Sequence, residues 1–177
     1  MLIKVGLPVD NDRGLRRCCP FCKREFKIVL TEEELKGFAQ KGLESFMIEA
    51  NGESDAGQSE PLQEERTCPY CGQKASVSSW WTQAQVDFFM DIARNMAIKE
   101  INKSFKRLER LNRPSSPVKF EAREIKQVEP RVLSEPNDMK VFELPCCDQR
   151  IKIKEDWSDK VYCFFCGFPH ESEAESN

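Results

Sequence analysis

Between Val86 and Leu111 the apolar side chains fall at three- and four-residue steps. Val86, Phe89, Ala93, Ala97, Ile101, Phe105, Leu108 and Leu111 follow at an average step of about 3.6 residues, the repeat of an amphipathic helix. Thr82 and Gln85 form a capping box ahead of the run, with Trp81 and Val86 placed as a hydrophobic staple. Phe88, Met90, Ile92, Met96 and Ile98 widen the apolar surface of the first half, so that half is expected to be covered on more than one side. The second half is narrower and basic, and Asn112-Arg113-Pro114 closes the helix.

A second helix is expected from Thr31. Thr31 and Glu34 repeat the capping box, and Leu30 and Leu35 repeat the staple. Leu35, Phe38, Leu43 and Phe46 continue the helical period, interrupted by Gly37 and Gly42. Short apolar or alternating runs predict strands at 2–7, 26–30, 140–144 and 150–154, an extended piece at 75–81 and one further strand at 118–122. Residues 51–65 are rich in Gly, Ser and Glu and read as a flexible loop.

Composition changes this picture in one respect. The apolar fraction is 40% and the charged fraction 32% of 177 residues. Globular domains usually carry about 45–50% and about 25%, so one large self-sufficient core is not expected. The chain has nine cysteines and a single histidine, His170. A lone histidine argues against imidazole proton shuttling and against a Ser-His-Asp triad. No stretch approaches the ~18 apolar residues of a membrane span. Met1–Val9 lacks the apolar block of a secretory signal. The cytoplasm is therefore the expected compartment. Thiols stay reduced there, and nine of them point to metal rather than to disulfides.

The cysteine spacing sharpens that reading. Cys19-Pro20-Phe21-Cys22 and Cys68-Pro69-Tyr70-Cys71 are two C-x2-C hairpins. One tight turn of this kind aims two thiolates at one ion, and two turns complete a tetrahedral zinc site. The long stretch between them fits an inserted helix and a loop, since loop closure entropy grows slowly with length. A rival for Cys68-Pro69-Tyr70-Cys71 is a thiol-disulfide oxidoreductase. That chemistry needs the first cysteine at a helix N-terminus, and here Gly72 follows while the next helix starts at Thr82. The second set is Cys146, Cys147, Cys163 and Cys166, in which an adjacent pair replaces one C-x2-C; His170 is the alternative fourth ligand. Cys18 is left to packing. Two zinc ions per chain are expected.

The net charge is −3, yet the basic residues are clustered. Arg13, Arg16, Arg17, Lys23, Arg24 and Lys27 surround the first cysteines, while Lys99, Lys103, Lys106, Arg107, Arg110 and Arg113 follow one another along the long helix. Acids gather in 49–65 and 171–175.

With these cysteines, the chain resembles a tandem of zinc ribbons. More narrowly, Cys68-Pro69-Tyr70-Cys71-Gly72 followed by Trp80, Thr82 and Gln85 is similar to bacterial proteins described as containing a transcription-factor-IIB-type zinc ribbon. Cys146-Cys147 followed by Ile151-Lys152-Ile153 and Trp157 supports the same resemblance, which spans roughly residues 16–112 and 139–168. It implies zinc and a small β-fold. Ribbons serve transcription, translation, replication and plain protein contact, so it implies no single function.

The expected architecture is small α+β, with two zinc-ribbon units joined by a long α-helix. The N-terminal ribbon spans 1–81 with a helical insertion at 31–50 and the loop at 51–65. The helix spans 82–113, an extended linker 114–138, the second ribbon 139–170 and a disordered acidic tail 171–177. No carboxylate pair stands out as catalytic, and no small-molecule substrate is expected. The expected role is a non-enzymatic interaction module, with a protein partner or a second copy on helix 82–113. The alternative is nucleic-acid binding by Lys99–Arg113, with Phe21, Tyr70, Trp80, Trp81 and Phe164 as stacking surfaces.

Overall fold

The computed structural model describes residues 6–35, 37, 64–110 and 123–171. Its strands form four antiparallel hairpins. The first pairs β1 (Gly14–Cys18) with β2 (Glu25–Val29), and the second β3 (Glu65–Thr67) with β4 (Lys74–Ser76). The third pairs β5 (Lys140–Leu144) with β6 (Gln149–Ile153), and the fourth β7 (Val161–Tyr162) with β8 (Pro169–His170). Each hairpin carries its cysteines at the tip.

The first and third hairpins do not stand apart. They join through β2 and β6 into one four-stranded sheet of order β1-β2-β6-β5. Lys27 pairs with Lys152 and Ile28 with Ile151 at the seam. Alternation sends Leu15, Phe26, Ile28, Ile151, Ile153 and Leu144 to one face, where all are buried. Phe26, Trp80 and Phe164 meet there, with ring centroids 5.4–5.8 Å apart. The core thus lies between the two ribbons and draws side chains from both.

The opposite face carries a row of cations across three strands: Arg16 pairs with Lys27, and Lys27 with Lys152. Like charges directly opposite destabilise a sheet. Here carboxylates from two covering segments offset them. Asp10 Oδ2 lies 3.0 Å from Lys27 Nζ and 2.8 Å from Lys152 Nζ, and all three side chains are fully buried. Asp12, Glu135 and Asp138 complete the cluster, with Arg16 bridging Glu25, Glu135 and Asp138. Asp10 also accepts hydrogen bonds from the N–H groups of Asp12 and Gly14. A Cβ at residue 14 would lie 2.9 Å from its carboxylate oxygens, so any larger residue there would have to displace the carboxylate from its partners.

Both capping boxes form. Thr82 and Gln85 exchange hydrogen bonds at 3.1 and 3.2 Å, and Thr31 and Glu34 at 2.9 and 3.3 Å. The helix at 32–35 follows the latter; of its expected course to residue 50, the part beyond 37 lies outside the described residues, as do the strand at 118–122, most of that at 2–7, Arg113 and all but residue 171 of the tail expected at 171–177. The loop expected at 51–65 is described from residue 64 and is corrected at its end, where Glu65 opens β3. The extended piece expected at 75–81 is corrected: β4 stops at Ser76 and a 3-10 turn covers Val77–Ser79. That turn drops Trp80 into the core, where its Nε1 donates to the Ala75 carbonyl at 3.4 Å.

The long helix, α1 (Gln83–Arg110), lies between the ribbons in sequence but does not separate them in space. Its stripe divides. Phe89 is buried in the core, and Phe88 and Ile92 pack against it. Ile101 and Leu108 are 41% and 47% exposed. Residues 123–138 run without helix or strand, and α1 holds part of them by their backbone. Asn95 brackets Val128, donating to its carbonyl at 2.6 Å and accepting from its N–H at 2.8 Å. Asn102 does the same to Ile125 at 2.8 and 2.9 Å. Seven helical residues rise about 10 Å, and three extended residues cover a similar length, so the two clamps are in register.

Candidate metal centres

The four hairpin tips meet in pairs. Cys19, Cys22, Cys68 and Cys71 form one group and Cys146, Cys147, Cys163 and Cys166 another; in each, the sulfurs lie within 4.8 Å of one another. In the first, Cys19 and Cys71 sulfurs are 3.8 Å apart, as are those of Cys22 and Cys68. A tetrahedron built with Zn–S bonds of about 2.3 Å has edges of about 3.8 Å. All-sulfur donors at this separation could hold a metal ion and are compatible with zinc. All nine cysteines are free of disulfides.

Each turn explains itself locally. Cys19 N–H donates to the Arg24 carbonyl at 3.0 Å, and Lys23 N–H to the Cys19 carbonyl at 3.1 Å. Cys68 repeats this with Gln73 and Gly72 at 2.8 and 3.0 Å, and Cys163 with Phe168 and Gly167 at 2.8 and 2.9 Å. The fifth residue of each turn is left-handed: Lys23 at φ 60°, Gly72 at 69° and Gly167 at 81°. Glycine suits two of these for a further reason. A Cβ on Gly72 would lie 3.2 Å from the Tyr162 ring, and one on Gly167 would lie 3.1 Å from Thr67 Oγ1. Main-chain N–H groups also reach the sulfurs, with Phe21 on Cys19 and Tyr70 on Cys68 at 3.4 Å each.

The third tip departs from this pattern in a way the spacing alone hides. Asp148 is left-handed at φ 51°, and Leu144 pairs with Gln149. Leu144-Pro145-Cys146-Cys147-Asp148 therefore occupies the frame of Cys19-Pro20-Phe21-Cys22-Lys23. Leu144, 1% exposed, stands where the other turns have their first cysteine. Cys147 holds the normal last position. Cys146 supplies its sulfur from the third position, filled elsewhere by Phe21, Tyr70 and Phe165. The shared Pro20, Pro69 and Pro145 are the signal in the sequence that reveals this frame.

The second and fourth tips contact each other reciprocally. Thr67 N–H donates to the Phe164 carbonyl at 3.0 Å, and Tyr162 N–H to the Pro69 carbonyl at 2.9 Å. Thr67 and Tyr162 each precede the first cysteine of a turn, and Pro69 and Phe164 each follow it. The antiparallel pairing at Lys27 and Lys152 has the same reciprocity. The two ribbons thus pack as approximate copies about an axis through that lysine pair.

The electrostatics of the two groups differ little, but their exposure differs strongly. Cys19 and Cys68 are buried, while Cys146 and Cys166 are exposed. Burial pushes the Cys68 thiol far above its ordinary value, and Cys22 is raised for the same leading reason. Burial opposes ionisation of Cys71 as well, but hydrogen bonds from Gln73 N–H and the neighbouring thiols outweigh it and lower that pKa. In the second group burial raises Cys146, and the hydrogen bond with Cys166 raises Cys147 to about 11. Cys166 is brought down to about 7, chiefly by the Phe168 N–H. Without a cation, protons thus remain shared among clustered thiols, and a bound dication displaces them.

His170 also stands at the second group, its Nε2 3.1 Å from Cys146 Sγ. Its ring lies between Phe142 and Phe168, at centroid distances of 6.2 and 5.2 Å. Cys18 belongs to neither group, and its sulfur lies 3.7 Å from the Lys23 carbonyl oxygen. Lys99, Lys103, Lys106, Arg107 and Arg110 line one groove along α1, together with Glu100 and Glu124. Lys103 faces Glu100 and Lys106 faces Glu124, each at 3.4 Å. Tyr70, Trp80 and Phe164 are buried, which corrects their expected use as stacking surfaces; Phe21 is 55% exposed. No helix among the described residues is long and apolar enough to cross a membrane. Neither family models, curated proteins nor solved structures match the chain.

Proposed function

We propose that the chain is a non-enzymatic zinc-binding interaction module, in which two ribbons packed on one sheet hold out α1 to a protein partner. Zinc is favoured because each group supplies four clustered sulfurs, and in the first group two pairs lie at the edge length of a zinc tetrahedron. Four protein ligands leave a tetrahedral ion no place for a reactive water, which supports a structural role. The observation that carries the partner reading is the division of α1. Its first turns are anchored by Phe89 in the ribbon core, while Ile101 and Leu108 beyond them remain 41% and 47% exposed. The test is capture of a partner, or of a second copy by sedimentation, with wild type and with I101E/L108E. The reading predicts an association lost in the variant while zinc content stays unchanged. An association that survives, or a wild type that binds nothing and stays monomeric, refutes it.

The second reading is nucleic-acid binding, favoured by the five cations that α1 contributes to its groove, with Lys126 as a sixth. Glu100 and Glu124 offset part of that charge. It predicts salt-dependent binding to DNA or RNA that K103A/K106A/R107A/R110A abolishes.

A further inference from the structure

We infer that the second centre is a three-cysteine platform of Cys147, Cys163 and Cys166 whose fourth coordination position is shared by Cys146 and His170. This deepens the zinc reading above and rests on it.

Four sulfurs converge at this centre, enough for a tetrahedral ion, and His170 stands as a fifth donor beside one of them, Cys146, outside the mutual group. Cys147, Cys163 and Cys166 occupy ligand positions of the two turns, the positions that Cys22, Cys68 and Cys71 occupy at the first centre. Cys146 does not. The first ligand position of its turn is filled by buried Leu144, and Cys146 is exposed in the third position. The histidine is built into the hairpin that carries Cys163 and Cys166: it lies on β8 and pairs with Val161 on β7. Its Nε2 is 3.1 Å from Cys146 Sγ, so the same region of space serves both donors. The only histidine of the chain therefore stands beside the one cysteine ligand that is out of frame.

The exchange needs no oxidant. A bound zinc would exchange its bond to Cys146 Sγ for one to His170 Nε2, donated through the ring lone pair. The electron pair of the broken bond would stay on sulfur, which takes up one proton from the buffered solvent, and Nδ1 would carry the ring hydrogen. Cys147, Cys163, Cys166 and His170 would then hold the ion. Cys146 is then an exposed thiol beside a retained metal, open to electrophiles, while the first centre offers no equivalent.

The test uses the full chain with C146S, H170A, C146S/H170A and C163S. Zinc per chain is measured after dialysis against a weak chelator, and the Co2+-substituted proteins give the thiolate-to-cobalt charge-transfer intensity. Two zincs are expected in wild type, C146S and H170A, with C146S showing the weaker band of one fewer sulfur. One zinc is expected in C146S/H170A and in C163S. N-ethylmaleimide should modify Cys146 first among the eight ligands, with zinc retained. The inference is overturned if C146S alone falls to one zinc, or if C146S/H170A keeps two. A wild type with fewer than two zincs overturns the metal reading itself, and with it the inference.

Discussion

The two cysteine centres use the same donors and nearly the same turns, yet they sit differently in the molecule. The first is the more enclosed: Cys19 and Cys68 are buried, Cys22 and Cys71 half-buried, and the Tyr70 hydroxyl ties the second turn to the sheet, donating to the Glu25 carbonyl at 2.9 Å and accepting from Lys154 N–H at 3.0 Å. The second faces solvent through Cys146 and Cys166. Approximate repetition of a ribbon has thus produced one centre that serves as core and one that is accessible. The lesson is local. Replacing the first ligand of one turn by Leu144 strengthens the apolar sheet face. It also forces the missing sulfur to come from an exposed position.

The strongest way to break this comparison is to remove equivalent ligands. Cys68 and Cys163 hold the same place in their turns, and both are fully buried. Structural zinc carries on the order of 10 kcal/mol of folding free energy in small domains. Cys68→Ser should therefore cost more than about 5 kcal/mol and abolish the cooperative urea transition. Cys163→Ser should lose one zinc and keep a cooperative, lower transition. Equal losses would show that the centres are energetically alike.

The next largest effect tests whether the second ribbon borrows stability from the first. Asp10 accepts from Lys27 of one ribbon and Lys152 of the other with no solvent access. Removing one partner of a buried ion pair typically costs about 3–5 kcal/mol. Asp10→Ala should lower stability by that amount and speed amide exchange at the β2–β6 seam. A loss confined to one ribbon would mean that the seam is held by the apolar face alone.

A smaller effect sharpens the comparison by reversing it. L144C/C146F restores the frame of the other three turns. The variant should bind two zincs, and adding His170→Ala should then change neither zinc content nor its release rate to a chelator. Sensitivity to His170 in this background would show that the histidine acts independently of the ligand frame.

Three of the four cysteine pairs were legible in the sequence because C-x2-C fixes two sulfurs by local geometry alone; Cys146 and Cys147 were grouped with Cys163 and Cys166, but their shifted frame was not legible. Both capping boxes and the helix were legible for the same reason, since Thr82–Gln85 and Thr31–Glu34 act within one turn. The shared sheet was not. Ile28 and Ile151 read equally well as the edges of two separate hairpins, because nothing local says which strand edges meet. The cation row was hidden likewise: Arg16, Lys27 and Lys152 look like solvated surface until the register aligns them under Asp10. The covering of α1 by 123–131 escaped because Asn95 and Asn102 bind backbone, which leaves no complementary pattern in the side chains they hold.

The smallest expected effect lies at the rim of that cluster and concerns pH. Asp138 faces Arg16 and Lys27, with Glu135 beside it, and is 44% exposed. Although burial favours its neutral form, hydrogen bonds from Arg16 and Lys27 hold its pKa at about 2, below the usual 3.8. The interior Asp10 is lowered as well: burial opposes ionisation, and hydrogen bonds from Lys152, Gly14 N–H and Lys27 overcome it. A carboxyl depressed in the folded state adds stability that is complete above its unfolded pKa and disappears as pH falls through its folded pKa. For Asp138 that window runs from about 4 down to about 2. An exposed pair of this kind contributes less than about 1 kcal/mol. The difference in denaturation midpoint between wild type and Asp138→Asn should be small and constant above pH 4.5, and should close below it. Loading both centres with cadmium, a softer ion for thiolates, keeps them bound further into acid. A difference that stays constant through the window would place the role of Asp138 in shape rather than charge, and would leave the electrostatic joining of the two ribbons to Asp10 and Asp12.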